Sequence, residues 1–324
     1  MKKRLLFFIA ALTLILAACG GGTSSGSFPS KNIELVAPAT PGGGWDMTAR
    51  TIQKALQENN IVDQNVTVTN KPGGNGEVGW QYLSSKDAHT LAINSSLLIT
   101  NELLGQSDLT YEDFTPLAIL STEWISVAVK FDSEFQDAVE VMEQLKADPT
   151  SLNIAVAPGL GNNDHLAFVQ AAKEFGVDVT KLNFMVYESG GDVVTALLGG
   201  HVDVATMAVS ESKEQHLAKT LRILAVTADQ KLEGLEEVPT WTDLGVEMVF
   251  PHWRGVIGPA NMTEEEIASW DASLKAVVES DTWKEVIANN GWTSFYKNST
   301  EAKEFLAEQR EMYSELLTES GLID

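Results

Sequence analysis

Ile33-Glu34-Leu35-Val36-Ala37-Pro38-Ala39-Thr40-Pro41-Gly42-Gly43-Gly44-Trp45-Asp46-Met47-Thr48-Ala49-Arg50 runs from an apolar stretch through a Pro/Gly-rich turn into a helical pattern. Ile33 to Ala37 reads as a strand and Pro41 to Gly44 as a loop. Asp46 to Glu58 reads as a helix with Met47, Ile52, Ala55 and Leu56 near one face. The same device returns along the chain. Val66 to Thr69 leads through Lys71-Pro72-Gly73-Gly74-Asn75-Gly76 to a helix around Val78 to Leu83, and Leu91 to Ile93 runs into Asn94-Ser95-Ser96. Asn153 to Ala157 ends in Pro158-Gly159-Leu160-Gly161-Asn162-Asn163 before a helix from Asp164 to Phe175. Phe184 to Tyr187 feeds Glu188-Ser189-Gly190-Gly191 and a helix starting near Asp192. Strands alternating with helices at this spacing predict an α/β fold built on parallel βαβ units.

The rhythm restarts around Ser126 to Val129. Val202 to Ala205 and Ile223 to Val226 read as further strands, and Gly255 to Gly258 as a strand returning to the first unit. The tail is helical. Thr263 followed by Glu264, Glu265 and Glu266 is a helix-start signature, and Thr300 to Leu317 reads as a long final helix. The pattern predicts two α/β lobes joined by crossing segments, residues 31–126 plus 251–324 in one and 127–250 in the other.

Each Gly-rich turn precedes a helix start. Such starts carry orphan N–H donors and about half a positive charge, and in open α/β sheets ligands sit beyond the carboxyl ends of the strands. Turns from both lobes converging on one gap would make an anion site needing few cationic side chains. Taken singly, each turn could equally be only a turn.

The beginning of the chain reads as an export signal. Lys2, Lys3 and Arg4 precede an apolar stretch from Leu5 to Leu16, shorter than the about 20 residues that cross a bilayer. Ala17-Ala18-Cys19 resembles the lipobox of bacterial lipoproteins, with Cys19 acylated after removal of residues 1–18. Residues 19–30, beginning with a Gly/Ser tract, read as a flexible tether. Cys19 is the single cysteine of the chain, so disulfides and Cys-ligated zinc are excluded beyond it. The expected location is the outer face of the cytoplasmic membrane, held by the lipid anchor.

The 324 residues carry a formal charge of −23, which removal of Lys2, Lys3 and Arg4 would take to −26. That balance argues against nucleic-acid binding, which requires basic patches. Gly74-Asn75-Gly76-Glu77-Val78-Gly79 matches the G-x-G-x-x-G spacing, but no acid about 20 residues on sits at a strand end, so a dinucleotide site is not expected. His165, His201 and His252 lack metal-ligand spacing. No Ser-His-Asp or paired-carboxylate arrangement is recognisable as catalytic. The expectation is a binding protein, not an enzyme, with no cofactor and no metal; the alternatives are a receptor of another uptake system, for an amino acid or a sugar, and an exported hydrolase or lyase on the same scaffold.

Some side chains admit two readings. Asp46 and Arg50 stand i,i+4 and suit a local ion pair. Arg254 suits a ligand carboxylate or a pair between lobes. Asn94, Ser95, Asn163 and Ser189 suit oxygen ligands or turns. His165 is a candidate contact for an acidic ligand. Trp45 is a candidate lining residue, whereas Trp270 and Trp283 read as packing.

Taken together, these segments resemble the substrate-binding proteins of tripartite tricarboxylate transporters, the TctC or Bug family. The resemblance rests on Ala37 to Arg50, on Val68-Thr69-Asn70-Lys71-Pro72-Gly73-Gly74-Asn75-Gly76, on Tyr187-Glu188-Ser189-Gly190-Gly191-Asp192 with Ala196 to Asp203, and on Trp253-Arg254-Gly255-Val256-Ile257-Gly258-Pro259. It implies a two-lobed, hinge-closing fold of the periplasmic-binding-protein kind (type II, Venus flytrap), each lobe a mainly parallel sheet flanked by helices. It implies a monomeric receptor for small di- or tricarboxylates, working with a polytopic membrane permease. Carried onto this chain, the ligand contacts would be Thr40, Pro41, Gly42, Gly43 and Gly44; Gly73, Gly74, Asn75 and Gly76; and Asn94 and Ser95. From the second lobe they would be Gly161, Asn163 and Asp164, and Ser189, Gly190, Gly191 and Asp192. The chain departs from the family's commonest pattern in Gly161-Asn162-Asn163-Asp164-His165 and in Trp45.

Overall fold

The computed structural model describes residues 28–187 and 189–324. Cys19 and the rest of residues 1–27 lie outside them, as does Glu188. The first half of the described chain runs β1 (Ile33–Ala37), α1 (Gly44–Glu58), β2 (Val66–Asn70), α2 (Glu77–Ser84), β3 (Thr90–Asn94), α3 (Leu97–Leu103) and β4 (Thr115–Lys130). Next come α4 (Ala138–Ala147), β5 (Asn153–Val156), α5 (Asn163–Glu174), β6 (Asn183–Val186), α6 (Gly190–Leu198), β7 (Val204–Ala208), α7 (Val209–Leu217) and β8 (Leu221–Val226). The chain closes with β9 (Pro251–Gly258), α8 (Glu264–Glu279), α9 (Asp281–Asn289), β10 (Thr293–Lys297) and α10 (Ser299–Glu319).

Two mixed sheets share one strand. In the first, β1 pairs in parallel with β2 and β3, and β9 lies antiparallel between β3 and β4. In the second, β5 pairs in parallel with β6 and β7, and β4 adds antiparallel to β7 and β8. The predicted α/β lobes with parallel βαβ units are therefore present, and the crossing strands supply the antiparallel pairs. Residues Thr115 to Trp124 of β4 pair with β9, and Ile125 to Lys130 pair with the second sheet.

Thr227 ties both crossings together. Its hydroxyl accepts from Ile125 N–H at 3.0 Å and donates to the Phe250 carbonyl at 2.8 Å. Its own N–H donates to Ile125 O at 2.9 Å, and its carbonyl accepts from Phe250 N–H at 3.0 Å.

Local sequence accounts for the helices that carry the turns. In α1 the residues Ala49, Ile52, Ala55 and Leu56 are fully buried, the i, i+3, i+4 stripe that a core-facing helix needs. They pack with Ile33, Leu35, Trp270 and Trp283, each large side chain contributing about 1.5–3 kcal/mol of burial. Trp270 and Trp283 are thus packing residues. On the other side α10 packs on β4, α3 and α5, with Phe305, Tyr313 and Leu317 buried. Trp253 donates to the Tyr313 hydroxyl at 2.9 Å beneath it.

Candidate functional site

A cleft of about 770 Å³ lies between the strand ends of the two sheets. Its wall from the first sheet is built of helix starts without side-chain caps. α1 begins after Gly43 with none, α2 after Gly76 with none, and Thr40, Gly42, Gly43, Gly44 and Gly73 to Gly76 face the gap. The first turn is held from behind by Asp46, which accepts from Gly42 N–H at 2.8 Å, Asn70 Nδ2 at 2.8 Å and Arg50 Nε at 2.9 Å. Burial would raise that carboxyl, but hydrogen bonds from Arg50, Gly42 and Asn70 outweigh it and hold it below the usual range. Trp45 and Ser95 complete this wall, with Trp45 packed on Trp80 at 5.7 Å between ring centroids.

The wall from the second sheet is built differently, because its helix starts are already satisfied. The Asn162 side chain accepts from His165 N–H at 2.9 Å at the head of α5, and its Nδ2 bonds the Ala157 carbonyl. Ser189 caps α6 by accepting from Asp192 N–H at 3.3 Å, while its hydroxyl donates to the Asp192 carboxylate at 2.7 Å. Glu211, on α7, lays its carboxylate against Gly190, where a Cβ would overlap it. The head of α6 therefore faces a carboxyl group that belongs to the chain itself.

The floor is an ion pair between adjacent strands. Arg254 Nη2 donates to Glu123 Oε2 at 2.6 Å, with side-chain exposures of 8% and 1%. Ser210 N–H donates to Glu123 Oε1 at 3.3 Å. The guanidinium stacks 4.7 Å from the centroid of Trp292 and lies against the start of α1, where a Cβ on Gly44 would come within 2.5 Å of Nη1. A side chain at position 44 would push the guanidinium aside. Glu211 opens to solvent in the cleft, yet the protein around it, and then the Glu123 charge, push its carboxyl up to about 7. Asp164, at 6% exposure, is raised well above the carboxylate range by burial first and by the charges of Glu211 and Glu123 next. His252 is lowered to about 4 by burial, then by Arg254.

Of the residues predicted from sequence, Thr40, Gly42, Gly43, Gly44, Trp45, Gly73, Gly74, Asn75, Gly76, Ser95, Asn163, Asp164, Ser189, Gly190 and Arg254 line this one cleft. Seven stand outside its wall. Asp46 is the brace just described, in the ion pair that its spacing suggested. Pro41, Gly191 and Asp192 are exposed beside it. Asn94 is buried behind Ser95 with its Oδ1 against Gly255, and Gly161 packs on Leu104 and Leu317. His165 turns inward, its Nδ1 accepting from Gly161 N–H at 3.2 Å and its ring 4.5 Å from that of Phe184. Burial holds it near 4, so the imidazole is neutral.

Glu123, Glu211, Ser210, Ser96 and Trp292 line the cleft and were not singled out from sequence; Asn162, inside the stretch Gly161 to Asp164, and His252, weighed only as a metal ligand, line it too. Glu123 offered one signal, a lone acid between the apolar residues of β4. Ser210, Glu211 and Trp292 offered none, since no Gly-rich turn or motif stands beside them. Among the described residues no group of three or more His, Cys, Asp or Glu side chains is arranged to hold a metal ion, and no helix is long and apolar enough to cross a membrane.

Comparison with known proteins gives concordant results. A family model described as tripartite tricarboxylate transporter family receptor (TctC) matches residues 48–322. The UPF0065 protein of the tcbD–tcbE intergenic region of Pseudomonas sp. (strain P51) is 29% identical over 311 residues, 91% of this chain and 88% of that protein. A crystal structure of a TctC solute-binding protein from Polaromonas, without ligand, superposes with a TM-score of 0.75 at 25% identity, covering 90% of this chain and 99% of the other. An R. palustris protein solved with adipate gives a TM-score of 0.77 at 22% identity, covering 91% and 98%.

Proposed function

We propose, since this chain belongs to the TctC family of tripartite tricarboxylate transporter receptors, that it captures a small di- or tricarboxylate by closure of its lobes and delivers it to a polytopic membrane permease. One observation carries the reading. The uncapped start of α1, the turn at Gly73 to Gly76 and the Arg254 guanidinium border the same cleft of about 770 Å³. Each charge-assisted hydrogen bond contributes about 1.5–3 kcal/mol, so four or five suffice for micromolar binding, about −8 kcal/mol, after association costs. The adipate held by the R. palustris relative supports the ligand class.

Residues 31–126 plus 251–324 would move against 127–250 about the crossings at Ile125, Thr227 and Phe250. Export through residues 1–18, acylation of Cys19 and a tether over residues 19–30 would keep the monomeric receptor at the outer face of the cytoplasmic membrane. In this reading the protein returns its ligand chemically unchanged. Calorimetric titration with citrate, succinate, aspartate, aromatic acids and neutral sugars tests it. Binding of one or more acids is expected. Silence toward every acid with a response to a sugar would overturn the assignment.

A further inference from the structure

The two faces of the cleft are opposite in polarity. Helix starts without side-chain caps and Arg254 stand on the side of the first sheet. On the side of the second, helix starts are capped by Asn162 and Ser189, and the Glu211 carboxyl lies against Gly190 at the head of α6. Neither Asp164 nor Glu211 forms an ion pair among the described residues: Arg254, whose charge Glu211 also feels, is bonded to Glu123, and no other Lys or Arg lines the cleft.

A second observation points to a ligand here. Asn163, 2% exposed, has both side-chain amide atoms without a partner, and so does the Oδ1 of Asp164 beside it; both residues line the cleft. Buried polar atoms are normally hydrogen-bonded. A ligand made only of carboxylates would satisfy the first face and set a further negative charge against Glu123 and against the Asp164 and Glu211 carboxyls, which burial and crowding already push toward their protonated forms. A cationic N–H group supplies what those acceptors lack.

We propose that the ligand is a carboxylate that also bears a cationic nitrogen, an amino acid or related zwitterion. Its carboxylate end lies against the α1 start, Gly73 to Gly76 and Arg254. Its ammonium lies against Asp164 and Glu211. The proposal rests on the reading of the cleft as a carboxylate site and narrows it.

Titration calorimetry at pH 8 with matched pairs tests it: aspartate against succinate, glutamate against glutarate, alanine against propionate. The amino member of at least one pair should bind about tenfold tighter or better, the expected yield of one charge-assisted contact. Glu211→Gln should remove most of that advantage, read as the ratio of the two affinities within a pair, with an unaltered circular dichroism spectrum. Asp164→Asn is the second variant, should Glu211→Gln fail to fold. Amino-free acids that bind as tightly as their partners, or variants that weaken both members equally, overturn the zwitterion and leave the carboxylate receptor standing. Absence of binding by any acid overturns the carboxylate reading itself.

Discussion

Removing Arg254 tests whether the floor of the cleft is an energetic unit. Arg254→Met leaves Glu123 at 1% side-chain exposure with Ser210 N–H, 3.3 Å away, as its remaining donor. Stripping one partner from a buried pair costs about 3–5 kcal/mol, and losing the stack on Trp292 adds about 0.5–2 kcal/mol. Water in the cleft favours the lower end, so about 4 kcal/mol is expected. Glu123→Leu should cost about 3–5 kcal/mol for the mirror reason, since it strands a guanidinium at the positive end of α1. The double variant should be far milder than their sum, because apolar replacement of a whole buried pair is often neutral. Urea unfolding followed by tryptophan fluorescence and by far-UV circular dichroism measures all three, the midpoint and slope being compared together. A double variant destabilised by the sum of the singles to within about 0.5 kcal/mol refutes the coupling.

Three further outcomes are expected. Glu211, raised from 4.5 to about 7 in the folded protein, holds a proton there that the unfolded chain has already lost. Its contribution to stability is full below about pH 4.5 and is lost as the pH rises through about 7; thermal melts of Glu211→Gln minus wild type should therefore slope across that window, and a flat difference contradicts the shift. Gly76→Ala forces a Cβ to 2.6 Å from the Trp80 ring at a φ of 103°, so a loss of about 1–3 kcal/mol in urea unfolding is expected, and an unchanged midpoint contradicts the packing. Cys19→Ser should shift the protein from the membrane fraction to the soluble exported fraction, whereas unchanged membrane retention argues against the lipid anchor.

The turns were legible because glycine and proline punctuate a sequence locally. Gly42 to Gly44 and Gly73 to Gly76 fall between an apolar run and a helical stripe, and all of them reach the cleft. Helix starts shifted by a residue or two, as with Gly44 rather than Asp46 for α1. β4 was legible only in its second half, around Ser126 to Val129. Its first half joins the apolar Leu117 to Leu120 to Pro116 before them and the polar Ser121, Thr122 and Glu123 after them, yet it pairs along β9 and carries the acid of the ion pair. The polarity of the second wall was hidden for another reason. Whether Gly190 offers its amide to a ligand depends on Glu211, which only tertiary folding brings to it, and a local pattern carries no trace of that meeting.

β4 passes unbroken from one sheet into the other, and this has a mechanical consequence. In the closure proposed above, rotation of one half against the other would be taken up as torsion of an extended ribbon clamped by Thr227. Glu123 stands two residues before Ile125 on that strand. A small displacement there would be geared up along each half and emerge as a larger excursion at the outer rims. The proposed receptor would then read its cargo at the short arm of a lever and announce it at the long one.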